Sequence, residues 1–264
     1  MAACPDGRCD GSGFLLDERA RQARPCSCRP KVIARKRAAA IQGRIPRKYH
    51  GASFEREPVL SIERANPHVA REVRQYARTI AEQLHGGRGL WFTGDVGTGK
   101  TTLAMLVSKA AMEADRTVAI YSLPRLLTRL RDTYQEDARY SLAGLIDRLV
   151  AVDLLHVDDV GTEQTSPWVL EQLYTIVNSR YEDGRAIVLT TNLVTIEGDD
   201  ALRAQIGDRT VSRIYEICGE PKAMFGDDRR LETTYTLPET PAADRDDQPL
   251  AYGEPRRPRR RLAS

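Results

Sequence analysis

The middle of the chain alternates between two patterns of apolar and polar residues. Short, almost continuous apolar runs are typical of buried strands, and longer segments with an apolar residue every three or four positions are typical of helices. Because strands that alternate with helices usually pair in parallel, the pattern predicts an α/β fold with a mainly parallel sheet and helices on both faces. The predicted strands are Gly89–Thr93, Thr117–Tyr121, Val152–Val157 and Ala186–Thr190, and the predicted helices between them are Lys100–Ala114, Pro124–Asp132, Leu142–Val150 and Pro167–Glu182.

The segments on either side set the limits of this α/β region. A further helix is predicted from Asn66-Pro67 to Gly86, because Asn can cap a helix and Pro suits its first turn. Residues 43–54 are predicted to form an extended connector, and the sequence after Pro238 lacks periodicity and predicts disorder. We therefore expect an N-terminal module with a basic linker (1–42), one α/β domain (43–236) and a disordered basic tail (237–264).

Charge is distributed unevenly along the chain, although the net charge is only +3. Apolar residues make up 41% of the sequence, which is enough to form a core. Eleven Lys or Arg residues and no acid lie between Arg19 and Lys48, and a second basic cluster closes the chain. Both clusters suit a phosphate backbone, and both are equally compatible with solvated, flexible arms. No apolar run reaches the length of a membrane span and the N-terminus lacks an apolar signal core, so we expect a cytoplasmic protein with reduced thiols.

A phosphate-binding loop follows the first predicted strand of the α/β region. The sequence Gly94-Asp-Val-Gly-Thr-Gly-Lys-Thr101 is a complete Walker A motif, and a predicted helix begins at its end. Glycines let backbone N–H groups surround a phosphate, and the helix N-terminus adds partial positive charge. Lys100 can reach the β- and γ-phosphates of ATP or GTP, and the Thr101 hydroxyl can bind Mg²⁺. The predicted nucleotide-binding residues are Gly94, Asp95, Val96, Gly97, Thr98, Gly99, Lys100, Thr101 and Thr102.

Two carboxylates and an amide follow later strands of the same sheet. Asp158 and Asp159 end the strand that begins at Val152, which predicts a Mg²⁺ contact for Asp158 and a role for Asp159 in activating water. Asn192 ends the next strand, where it can bond the attacking water or a phosphate oxygen, although Asn after a strand is commonly a turn residue. His156 lies within the strand and is predicted to pack with its ring nitrogen satisfied.

Taken together, these motifs resemble AAA+ ATPases of the helicase-loader type (DnaC/DnaI) and the related IstB transposition ATPases. The resemblance covers about residues 43–232, including the connector Ile45…Phe54. The matching segments are Gly94–Thr101, Leu154–Gly161, Asn178–Tyr181, Ile187–Asn192 and Gly207–Ile214.

The resemblance implies roles for the matched residues. Asn192 would be the sensor 1 residue, and Arg213 would be an arginine finger that reaches ATP on a neighbouring subunit, so that the active form would be an oligomer. Arg180 and Arg209 are alternatives, for which a surface salt bridge is the simpler explanation. No residue after Arg213 matches a sensor 2 arginine. In this respect the sequence resembles loaders with a truncated lid.

Four of the five cysteines lie within the first 28 residues, at Cys4, Cys9, Cys26 and Cys28. They resemble the small zinc module that precedes the ATPase domain in some loaders. Four thiolates suit a closed, tetrahedral Zn²⁺ site, and metal binding would stabilise a segment too short to form a core. The second pair is a tight Cys-x-Cys, so His50 is an alternative ligand, and free thiols are the alternative to a metal site.

The predicted helix Pro124–Asp132 is amphipathic and carries three arginines, Arg125, Arg129 and Arg131. Since related loaders bind single-stranded DNA, these arginines are candidates for phosphate contacts. A plain amphipathic surface helix explains the same pattern.

The sequence therefore leads us to expect an ATP- and Mg²⁺-dependent ATPase that loads a replicative DnaB-type helicase onto single-stranded DNA. A transposition helper of IstB type is the nearest alternative, and a non-hydrolysing, ATP-gated adaptor is a further one. No acceptor-binding pattern accompanies the phosphate loop, which disfavours a small-molecule kinase.

Overall fold

The computed structural model describes residues 4, 7–17, 22–30, 32, 45–161, 166–193 and 201–228 of the 264-residue chain. The predicted tail, 237–264, and most of the basic linker lie outside these residues. No helix among them is both long enough and apolar enough to cross a bilayer.

A parallel sheet forms the centre of the α/β domain. Its strands stand in the order β4-β5-β6-β3-β7, and every neighbouring pair is parallel. A separate antiparallel hairpin, β1 (Phe14–Asp17) with β2 (Gln22–Pro25), precedes the domain. The sheet strands are β3 (Leu90–Gly94), β4 (Val118–Ser122), β5 (Leu154–Val160), β6 (Ala186–Thr191) and β7 (Lys222–Met224).

Helices cover both faces of this sheet, so the predicted fold class is confirmed. Neighbouring strand residues point to opposite faces, and Trp91 and Phe92 accordingly belong to two different apolar clusters. The Phe92 cluster includes α1 to α4, and the Trp91 cluster includes α5 to α9. The helices are α1 (Val59–Ala65), α2 (Pro67–Arg78), α3 (Ile80–His85), α4 (Lys100–Glu113), α5 (Leu123–Arg131), α6 (Leu142–Ala151), α7 (Pro167–Glu182), α8 (Ala201–Ile206) and α9 (Asp208–Cys218).

The prediction of a single helix before β3 was wrong, because the segment forms two helices, α2 and α3, that are divided at Thr79. The Thr79 hydroxyl donates to the Gln75 carbonyl oxygen at 3.1 Å, and the residue has non-helical dihedral angles. Such a side-chain bond competes with the helical hydrogen bonds and bends a helix. Asn66 precedes α2 but does not cap it, since its side chain bonds the backbone of Phe225 instead. The connector, predicted to be extended, contains a 3₁₀ turn at Arg47–Tyr49.

Candidate nucleotide site

The loop between β3 and α4 has the form that its glycines predict. β3 ends at Gly94, α4 begins at Lys100, and Gly99 between them has a φ of +100°. A Cβ on Gly99 would overlap the Ile62 side chain, so both conformation and space require glycine there. The loop therefore delivers the N-terminus of α4 directly to the edge of the sheet, where backbone N–H groups can face an anion.

Lys100 is enclosed by the loop. Its side chain is buried, and Nζ donates to the carbonyl oxygens of Gly94 at 2.8 Å and Asp95 at 2.7 Å. The Thr98 hydroxyl donates to the Asp95 carbonyl oxygen at 2.9 Å, which stabilises the curled backbone. Thr101 is half-buried at the start of α4, whereas Thr102 is buried within it. A positive charge is thus held at the centre of the loop.

The acidic pair lies on an irregular stretch within β5, which continues to Val160, beyond the end predicted at Val157. The pairing of β5 with β6 shifts register between Val157 and Val160, and Asp159 has a φ of +57°. A bulge of this kind redirects side chains, and backbone strain of this kind is concentrated at functional sites. The neighbouring Thr190 on β6 fixes the arrangement: its hydroxyl donates to Asp158 Oδ1 at 2.7 Å and accepts from the Asp159 N–H at 3.0 Å.

Three strands bring the predicted groups to one edge of the sheet. β6 stands between β5 and β3, and because all three are parallel, their carboxyl ends meet at the same edge. The phosphate loop follows β3, the acidic pair lies near the end of β5, and the half-buried Asn192 follows β6 directly. Ligands bind at this edge in open parallel sheets.

Arg180 is neither a finger nor a surface salt bridge, and both predictions for it were wrong. Its side chain is fully buried beneath α7, where burial lowers its pKa to about 9. The guanidinium donates to five backbone carbonyl oxygens, which we call the carbonyl cage. They belong to Leu149, Val150, Val152, Asp153 and Ala186.

Arg213 is half-buried on α9 and contacts side chains of α7 and of its own helix. Nε donates to Asn178 Oδ1 at 3.2 Å, Nη1 donates to Glu216 at 2.7 Å, and the guanidinium lies 4.2 Å from the centre of the Tyr181 ring. The Glu216 carboxylate raises the pKa of Arg213, and the Tyr181 hydroxyl bonded to that carboxylate lowers the pKa of Glu216. These four residues form the Arg213 cluster. Arg209, on the same helix, is exposed.

His156 is a core residue of β5. Its Nδ1 lies 2.8 Å from the Ser108 hydroxyl, whereas Nε2 has no hydrogen-bond partner among the described residues. Burial lowers its pKa to about 3, so the ring is neutral at physiological pH. We had expected it to pack with a satisfied ring nitrogen, and one nitrogen is satisfied.

The four N-terminal cysteines converge around the β1–β2 hairpin. Their sulfur atoms all lie within 4.8 Å of one another, with Cys4 4.0 Å from Cys26 and Cys9 3.5 Å from Cys28. Ligands of a tetrahedral zinc at about 2.3 Å would lie about 3.8 Å apart, so the arrangement fits Zn²⁺. His50 is outside this group, and its Nε2 bonds the Ile45 carbonyl oxygen at 2.8 Å.

The three arginines proposed for DNA contact are exposed on α5, while its leucines are buried in the core. The Arg131 guanidinium lies over the Trp168 ring at 5.2 Å. This placement leaves the phosphates of a strand accessible to Arg125, Arg129 and Arg131, and it is also that of an ordinary amphipathic surface helix.

Comparisons with known proteins agree with this site and fold. The curated relatives include the uncharacterised protein YdaV of Escherichia coli K12 (27% identity, 57% of this chain and 60% of YdaV). They also include the replicative helicase loader DnaC of the same organism (25% identity, 52% of this chain and 55% of DnaC). The chain therefore spans little more than half the length of these relatives.

The fold is that of a solved helicase loader. The crystal structure of the DnaC helicase loader superimposes with a TM-score of 0.58 at 23% identity, covering 68% of this chain and all of that one. At this identity the likeness establishes the AAA+ fold alone. A family model described as IstB-like ATP binding protein matches residues 74–220, which is more than half of the chain. The resemblance inferred from the sequence motifs is confirmed: this chain belongs to the family of IstB-like ATP binding proteins, with DnaC-type loaders among its relatives.

Proposed function

We propose that this protein is an ATP-dependent loader of a replicative DnaB-type helicase onto single-stranded DNA, acting in the cytoplasm. The observation that carries the proposal is the meeting of the phosphate loop, the acidic pair and Asn192 at one sheet edge, in a fold shared with the DnaC loader. ATP binding follows from the family, and hydrolysis and loading are the steps proposed here.

Each site residue has a separate role in ATP hydrolysis. Lys100 and the N–H groups of residues 94–102 bind the phosphates, and Asn192 bonds the γ-phosphate or the attacking water. Thr101 and Asp158 would hold Mg²⁺, which neutralises charge that develops on the phosphates. Asp159, which lies on the bulge of β5, orients the water and accepts its proton.

Arg213 would complete the site of a neighbouring subunit. A finger of this kind neutralises negative charge in the transition state, which makes hydrolysis depend on self-association. Within one chain its guanidinium is bonded to Glu216 and Asn178, and these exposed or half-buried partners can be exchanged for a phosphate.

The cysteine module and the basic segment after it would bind the helicase. The four sulfur atoms lie within 4.8 Å of one another and, with Zn²⁺ bound, would form a closed site without a position for catalysis. Removal of residues 1–42 should abolish helicase binding and leave nucleotide binding intact. Retained helicase binding in that variant would assign docking to another surface.

DNA contact is proposed for the exposed arginines of α5. We expect Arg129→Glu to weaken single-stranded DNA binding and to reduce its salt dependence, because one phosphate contact is lost. The measurement is fluorescence anisotropy of a labelled oligonucleotide over a series of salt concentrations. Unchanged affinity would identify α5 as a surface helix without this role.

Co-elution with the replicative helicase of the host on a sizing column, with and without ATP, tests the loading function. A larger, stable complex supports a loader. Separate elution under both conditions would favour a transposition helper, the candidate that the IstB-type family model supports, and binding to a transposase would then be expected. Measurable turnover that is lost in Asp159→Asn would exclude a non-hydrolysing adaptor.

A further inference from the structure

The edge strand β7 carries a segment of chain alongside the phosphate loop. β7 pairs in parallel with β3, and Met224 stands opposite Gly94 at the point where the loop begins. A Cβ on Gly94 would overlap the Met224 carbonyl oxygen, and a Cβ on Gly97 would overlap the Asp228 carboxylate. Residues 224–228 therefore contact the loop at both of their ends, so that they form one side of the nucleotide site.

Asn66 fixes the backbone of this segment. Its Nδ2 donates to the Phe225 carbonyl oxygen at 2.9 Å, and its Oδ1 accepts from the Phe225 N–H at 2.8 Å. The Asn66 side chain is buried, so both bonds are partly shielded from water. An ion pair between Lys222 and Glu72 joins the same strand to α2. Phe225 is thus held at a defined position beside the loop.

The ring of Phe225 remains in solvent despite its fixed backbone. It is 70% exposed, whereas Met224 before it is 1% exposed in the core. Val96, on the loop itself, is also an exposed apolar side chain at 43%. Apolar and aromatic side chains beside a phosphate site are the usual partners of a flat, apolar ligand face.

We propose that Phe225 is the base-stacking residue of the nucleotide site and that Asn66 is the residue that positions it. This inference deepens the proposed function and rests on ATP binding at the phosphate loop.

Two ligands separate base recognition from phosphate recognition. Calorimetry of the full chain with Mg²⁺ would compare ATP with inorganic tripolyphosphate, which has the phosphates but no base. In Phe225→Ala we expect the affinity for ATP to fall about 5- to 150-fold, as for the loss of one base–aromatic stack, with tripolyphosphate affinity unchanged. Phe225→Tyr should retain the affinity of the wild type. Asn66→Ala should show the same selective loss, to a smaller degree.

Tyr134→Ala is the matched control, because this ring is also exposed (62%) but packs beside Trp168 on α7. It should bind both ligands as the wild type does. Equal weakening of ATP and tripolyphosphate in Phe225→Ala would show that the ring supports the loop, and unchanged ATP affinity would show that it has no role; either result overturns the inference. A wild-type chain that binds neither ligand would instead refute the proposed function.

Discussion

Two arginines, Arg180 on α7 and Arg213 on α9, have contrasting surroundings. From the sequence alone, either one was a candidate for the arginine finger. Arg180 lies in the carbonyl cage, where all five partners are backbone carbonyl oxygens. Arg213 lies in the Arg213 cluster, where its partners are side chains at the surface. The consecutive residues Arg180 and Tyr181 put α7 in both regions, one facing the core and the other facing α9.

The difference shows that the hydrogen-bond acceptors around a guanidinium distinguish a structural arginine from a candidate functional one. A buried guanidinium surrounded by neutral carbonyl groups satisfies acceptors that would otherwise be orphaned, and its loss leaves them unpaired. A half-exposed guanidinium on a carboxylate can exchange that anion for another one, such as a phosphate, with solvent assisting the exchange. The role of an arginine is therefore indicated less by its residue type than by the atoms that contact its guanidinium.

Replacing Arg213 should give the largest effect and leave stability unchanged. We expect Arg213→Ala to reduce ATP turnover at least about 10³-fold, as for the loss of an arginine finger. The measurement is steady-state hydrolysis at a protein concentration where the wild type self-associates. Arg209→Ala, an exposed arginine on the same helix, is the matched control and should keep its activity. Loss of turnover in Arg209→Ala alone would transfer the role to that residue.

Replacing Arg180 should have the opposite signature. Arg180→Ala leaves five carbonyl oxygens, four of them in buried bonds, without this donor, and we expect the free energy of unfolding to fall by about 3–5 kcal/mol. Urea denaturation followed by circular dichroism measures this loss. Arg185→Ala removes a guanidinium whose ion pair with Asp153, at 3.4 Å, is partly exposed, and it should cost far less. Equal losses in the two variants would contradict a structural role for the carbonyl cage.

His156 extends the comparison to a buried group that titrates. Its pKa is about 3 in the folded chain against about 6.5 when unfolded, so the unfolded chain binds the proton first as the pH falls. Its contribution to stability is therefore complete above pH 6.5 and is lost towards pH 3, by at most about 1.4 kcal/mol per pH unit. Urea denaturation between pH 7.5 and 5 should show a shallower decline in His156→Gln. His68→Gln, at an exposed histidine, should decline as the wild type does.

The smallest effect is expected within the Arg213 cluster itself. Glu216→Gln removes the anion that competes with phosphate for Arg213, so the protein concentration for half-maximal ATP turnover should fall about two- to five-fold. Glu57→Gln is the control, because Glu57 forms an exposed ion pair of similar length with Arg64. A higher concentration requirement in Glu216→Gln would show that the carboxylate positions the guanidinium rather than holding it back.

Local patterns allowed most of the α/β domain to be predicted. The bounds of α7 were predicted as Pro167–Glu182 and are observed there, because Ser166 caps the helix with a bond from the Val169 N–H and Gly184 follows its end. The phosphate loop was equally clear, since its glycines, its lysine and the flanking strand and helix are contiguous in sequence.

Long-range contacts account for what the sequence could not reveal. Asn66 suits a helix cap by every local rule, yet its partner Phe225 lies 159 positions away. Arg180 looked like a surface residue because its five acceptors are backbone atoms, which no residue type indicates. The bulge at Asp159 depends on pairing with Thr190 of the neighbouring strand. In each case tertiary structure, rather than propensity, decides the outcome.

Mixing two inactive variants tests most directly whether neighbouring subunits share one hydrolytic site. Lys100→Ala lacks the phosphate-binding ammonium but keeps Arg213, whereas Arg213→Ala keeps the phosphate loop but lacks the finger. If Arg213 acts in trans, the mixture should hydrolyse ATP well above the sum of the two variants alone, because each mixed interface joins an intact loop to an intact finger. Turnover equal to that sum, while the two variants still co-assemble, would contradict the account.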